Sequence, residues 1–156
     1  MPNLTADEIT EFRTDYIRDK YTASPLVTLS HYNRAAKANF FSGAQVEAIH
    51  DRIQTDGAEE LDGVYDVKYT ERLNDGDSDA DAVTAATAQE KAALFRLMRA
   101  ECWQVQMVDP GFVGSISDEK QRAELFKAWA TAIERDRSFA RTRTSAAFAS
   151  VPVVRL

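Results

Sequence analysis

Apolar positions along this chain recur at intervals of three and four, the repeat of helices that bury one face. In MPNLTADEITEF, Thr5 and Glu8 make a capping box, with Leu4 before them as a staple residue. Ile9, Phe12, Tyr16 and Ile17 follow on one stripe and predict a helix to about Tyr21. Ser24-Pro25 ends that element and can open another, with Pro25 at a first helical position. Leu26, Leu29, Asn33, Ala36 and Phe40 give it a weaker stripe. Ser42 and Gln45 form a second capping box, and Val46, Ile49 and Ile53 share the face that follows, until Asp56-Gly57 stops the run.

The stretch EELDGVYDVKYTERL fits two periods. Tyr65, Val67 and Tyr69 alternate with Asp66 and Lys68 as in a half-buried strand. Leu61, Val64, Tyr65, Lys68, Tyr69 and Leu73 fit a helical stripe equally well. A strand would need a partner, and no second strong candidate lies nearby, so helix is favoured.

Asp81 to Val108 is the strongest element, 28 residues without Gly or Pro and rich in alanine. As one helix it spans about 42 Å. Its stripe runs through Val83, Glu90, Leu94, Leu97, Met98, Cys102, Val105 and Val108, and Asp109-Pro110-Gly111 breaks it. Ser117 caps the last helix, with Asp118 and Glu119 in its first turn. Leu125, Phe126, Trp129, Ala132 and Ile133 form its inward face, so the two long elements predict an antiparallel helical hairpin.

Past Asp136 the period fails, and SFARTRTSAAFASVPVVRL reads as an extended arm. The expected architecture is mainly α: a helical domain over 1–138, with one long central helix and a C-terminal hairpin, then an extended arm over 139–156.

Composition narrows the function classes. The 156 residues are 44% hydrophobic and 28% charged, enough for a core without staples. No apolar run approaches a bilayer span, and the acidic start has no apolar signal region, so neither a membrane nor export is expected. Cys102, the single cysteine, allows no internal disulfide, fits a reducing compartment and reads as a small buried apolar group. The net charge of −6 is unevenly laid out: residues 1–90 hold 18 acids and 8 bases, residues 91–156 hold 7 acids and 11 bases. The chain is acidic in front and basic behind, a layout that marks interaction tails.

NDGDSDADA places Asp75, Asp77, Asp79 and Asp81 at alternate positions, which raises the question of a calcium loop. Such a loop needs a glycine at its sixth position and a glutamate at its twelfth. Counting from Asp75 finds Ala80 and Ala86 there, and counting from Asp77 finds Ala82 and Ala88. The carboxylates instead suit the start of a long helix, where they cap it and oppose its dipole. His31 and His50 cannot complete a zinc site with one cysteine, and both read as surface or half-buried side chains. No nucleophile elbow, paired-histidine metal motif or phosphate-cradling loop occurs. No catalytic residue, cofactor or metal is assigned, and the chain is not expected to be an enzyme.

The arm is where partners are expected. Phe139, Arg141, Arg143, Phe148, Val151, Val153, Val154 and Leu156 are its partner-binding candidates. Docking on a protein suits its apolar end, since VPVV can run extended and add to a sheet edge or fill a groove. Binding nucleic acid is the alternative: Arg137, Arg141 and Arg143 would neutralise phosphates and Phe139 or Phe148 would stack, against the repulsion of an acidic body. A third possibility packs the arm back on its own helices. Docking is favoured.

This layout, a small acidic helical body with a long central helix, a helical hairpin and an extended arm, resembles the head–tail connector (adaptor) proteins of tailed bacteriophages. The resemblance implies a ring of copies beneath the portal, with residues 139–156 reaching portal or tail proteins and the acids of 75–81 facing the DNA channel. It implies a non-enzymatic assembly protein of the virion, homo-oligomeric there, with only non-specific DNA contact. Outside a virion, a cytoplasmic helical regulatory or nucleic-acid-binding module using the basic arm is the alternative.

Overall fold

Five helices and no strand make up the regular structure of residues 4–13, 42–108 and 118–150, the part of the chain that the computed structural model describes. Helix α1 (Ala6–Glu11) starts at Thr5, whose hydroxyl accepts from the Glu8 N–H at 3.1 Å while Glu8 accepts from the Thr5 N–H at 3.3 Å. Helix α2 (Gly43–Asp56) starts the same way, with Ser42 and Gln45 exchanging bonds of 3.1 and 2.8 Å. Both predicted capping boxes therefore satisfy N–H groups that a helix start leaves open. Tyr16, Ile17, His31 and the Leu26 to Phe40 stripe lie outside the described residues.

Helix α3 (Ala58–Asn74) settles the ambiguous stretch as helix. Leu61 and Val64 point inward together, and Tyr65 stacks on Tyr69 one turn later at 6.2 Å between ring centroids. Gly76, at a φ of +95°, makes the turn that follows, a conformation glycine adopts without steric cost. Helix α4 (Asp79–Met107) then runs for 29 residues, about 43 Å. Ser78 caps it, its hydroxyl accepting from the Asp81 N–H at 3.2 Å. The aspartates around it have local work: Asp77 accepts from Arg72 Nε at 2.7 Å, and Asp79 accepts from the Tyr69 hydroxyl.

Helix α5 (Glu119–Ser150) corrects the sequence reading at both ends. Asp118 is its cap, one carboxylate oxygen accepting from the Lys120 and Gln121 N–H groups at 2.9 and 3.0 Å; Ser117, the predicted cap, lies outside the described residues. The helix also continues far past Asp136, so residues 139–150 are helical and not the extended arm the sequence predicts. Alanine supplies helix propensity there, and Ala140 and Thr144 give the segment something to pack against.

Helices α3, α4 and α5 pack against one another, α2 lies along α4, and α1 adds the edge of Phe12 against Phe95 at 5.5 Å. Helices α4 and α5 are antiparallel, because Trp103 stacks on Trp129 at 5.5 Å while Arg99, one turn earlier on α4, meets Asp136, further along α5. Leu94, Met98 and Cys102 of the predicted α4 stripe are buried, whereas Val83, Val105 and Val108 are exposed, Val108 at 75%. Ala82, Ala86, Phe95 and Trp103 turn inward as well, because α4 is covered from several sides and its buried surface is wider than one stripe. His50 departs from the reading as a surface or half-buried side chain: it is buried, with Nδ1 3.1 Å from the Asp51 carboxylate.

Where α3 crosses α5, the Thr144 hydroxyl shares its one hydrogen between the Ala140 carbonyl at 3.0 Å and the Glu60 carbonyl at 3.3 Å, and a Cβ on Gly63 would fall 2.8 Å from Thr144 Cγ2. Only a glycine lets the helices approach this closely. Gly63→Val is expected to destabilise the fold by about 1–3 kcal/mol in a urea titration. Gly63→Ala is expected to cost less, since its helix propensity offsets part of the clash. At Cys102, burial pushes the thiol up to about 12. Iodoacetamide at pH 8 is expected to leave the native chain unmodified and to label it fully in denaturant, read by mass spectrometry.

Candidate functional site

Charges that a helix normally turns to water are built into the seam between α4 and α5. Trp129, Ile133, Asp136 and Ala140 of α5 all face inward at alternating steps of four and three, so Asp136 occupies a core position. Its carboxylate is 0% exposed. Arg99 grips it through two bonds, Nε to Oδ2 at 2.9 Å and a terminal nitrogen to Oδ1 at 2.8 Å. The Arg99 side chain is itself only 9% exposed, and Arg96 adds a guanidinium nitrogen 3.6 Å from Oδ1. A forked, charge-assisted pair of this kind compensates two charges that the interior would otherwise reject.

Phe139 lies one turn further along α5, with the Arg96 guanidinium carbon 4.3 Å from its ring centroid and that of Arg143 3.2 Å from it. Arg143 also donates to the Phe139 carbonyl at 3.1 Å. Burial, with the neighbouring Arg96 charge adding, lowers the Arg143 pKa from its ordinary value. The result is a half-buried cationic face in which α4 supplies Arg96 and Arg99, and α5 supplies Phe139 and Arg143.

The next face of α5 has the opposite sign. Arg141 and Thr144 line a groove of about 800 Å³ against α3, whose other walls carry Asp56, Glu59, Glu60, Asp62 and Asp66. Arg141 pairs with Glu134, which leaves the acids of α3 to set the sign of the groove. Burial raises the Glu90 pKa from its ordinary value, and the charges of Asp62 and Asp66 act in the same direction.

The predicted partner-binding residues thus separate. Phe139 and Arg143 belong to the packed seam with α4, and Arg141 lies on the rim of the acidic groove. The Phe148 side chain, Val151, Val153, Val154 and Leu156 lie outside the described residues. Arg137, weighed for phosphate contact, donates instead to the Gln104 side chain. Sequence reasoning missed Arg96, Arg99 and Asp136. The signal was present as a stripe that continues through Asp136 to Ala140, concealed because an acid in a core position looks like the end of a pattern. Chemically, the arginine face suits oxyanions and the groove suits cationic groups. Among the described residues no three His, Cys, Asp or Glu side chains converge as metal ligands.

Removing one member of the seam pair strands the other. Asp136→Ala is expected to lower stability by about 3–5 kcal/mol in a guanidinium titration, while the double variant Arg99→Met/Asp136→Leu recovers most of that loss.

Compared with known proteins, the chain matches no family model, no curated protein and no solved structure.

Proposed function

We propose that this chain is a non-enzymatic structural assembly protein, a connector of the virion head–tail type, that packs side by side in a ring and attaches to portal or tail proteins through residues beyond Thr144. The observation that supports this reading is the α4/α5 pair, two helices of 29 and 32 residues locked in one register, with a cationic face on one side of α5 and an acidic groove on another. Each copy in a ring meets its neighbours through two different surfaces, and unlike charge gives those surfaces a fixed sense. The apolar set Phe148, Val151, Val153, Val154 and Leu156 follows in sequence and suits docking on a protein surface. Acids on the body favour a surface along which DNA moves without sticking, because like charge denies phosphates a favourable contact.

Phe139, Ala140 and Thr144 pack in the bundle, so a truncation that keeps their contacts begins at residue 145. Deleting residues 145–156 is expected to keep the thermal midpoint of the full chain and to lose only the helicity of residues 145–150. In gradient sedimentation of the native source, the full chain is expected with a particle far larger than 17.4 kDa that resists moderate salt, and the truncated chain is expected to be missing from it. Recovery of the full chain near its monomer mass, or only in a DNA-containing peak dissolved by salt, overturns the reading.

A further inference from the structure

Three guanidinium groups gather where α4 meets α5: Arg99 and Arg96 lie on the Asp136 carboxylate, and Arg96 and Arg143 lie on the Phe139 ring. Asp136 is taken up by the fork of Arg99, and Arg96 reaches it only at 3.6 Å, too far for a hydrogen bond. Among the described residues, the positive charges of Arg96 and Arg143 are left in excess at a half-buried position. The donors are in excess too. Among the described residues Arg96 makes no hydrogen bond, and Arg143 makes one, to the Phe139 carbonyl. A guanidinium presents a fork of N–H donors, and partly buried donors are ordinarily satisfied. Here they are held ready instead, since both groups lie against the Phe139 ring and little side-chain freedom remains to be lost on binding. The site is open to a ligand, with the Arg96 side chain 31% exposed.

We infer that Arg96 and Arg143 form a binding site for a phosphate dianion, either inorganic phosphate or a terminal phosphate group. A dianion matches the excess of two charges, and its tetrahedral oxygens bridge guanidiniums that arrive from two different helices. A carboxylate or a backbone phosphodiester supplies one negative charge and leaves half the excess standing. Burial of Arg143 beside Arg96 acts in the same sense, because a bound dianion relieves the repulsion that lowers its pKa. Arg99 holds the site in place through Asp136. The inference stands apart from the assembly reading, which rests on the whole hairpin and on residues beyond Thr144.

The test is calorimetric titration of the full chain with inorganic phosphate, at a pH where phosphate is dianionic, against sodium chloride of matched ionic strength. Binding is expected for phosphate and not for chloride, and is expected to weaken about tenfold in Arg96→Gln and in Arg143→Gln, the loss of roughly one charge-assisted hydrogen bond. Should either variant fail to fold, Arg96→Lys and Arg143→Lys, which keep the charge but lose the fork, serve the same comparison. An oligonucleotide with a 5′-phosphate, set beside the same strand without one, distinguishes the sources. Preference for the phosphorylated strand over free phosphate identifies a terminal phosphate, and equal affinity for the two identifies the free ion. Equal binding of both strands, equal heats with phosphate and chloride, or affinity unchanged in the variants overturns the inference.

Discussion

A carboxylate with no exposure to water is the constraint on which the rest of this fold depends. Asp136 sits where an apolar residue would ordinarily fill the seam of α4 and α5, and only the forked guanidinium of Arg99 makes that position tenable. An apolar contact slides at small cost, whereas a two-bond pair does not, so it fixes the register of two helices of 29 and 32 residues. The stack of Trp103 on Trp129 supplies the buried area in that seam. Arg99 and Asp136 supply its uniqueness.

The later positions of α5 follow from that register. With Asp136 held, Phe139 comes beneath Arg96, Ala140 enters the core, and Thr144 reaches the Glu60 carbonyl beside Gly63. Arg143 is drawn onto Phe139 in the same turn, while Arg141 faces the acidic groove. One helix thereby shows a cationic aspect and borders an anionic one, a separation of charge by helical rotation. Surface pairs such as Arg52 with Glu101 at 2.6 Å are minor beside this, worth about 0.2–1 kcal/mol each.

The starts of α1 and α2 are legible in the sequence, because caps are local. Thr5 with Glu8 and Ser42 with Gln45 need only neighbours three residues away. The unbroken alanine-rich run of α4 is equally plain. Residues 58–74 fit two periods, and the packing of Leu61, Val64 and Gly63 in the bundle chose between them. The candidate site was the least legible part. An arginine on one helix and an aspartate on another, 37 positions apart, carry no mutual signal until the helices are laid together.

The sequence by itself therefore determined the helical class, the capping boxes, the long central helix and the acidic-to-basic drift along the chain, since each depends on contacts within a few residues or on composition alone. Tertiary structure decided that residues 139–150 are helical, that Asp136 and His50 are interior, and that Arg96 and Arg143 share one aromatic ring. Burial reverses the usual preference of a charged or weakly propensive residue only when a partner is already in place. Distant parts of the chain supply those partners, so no local pattern announces them.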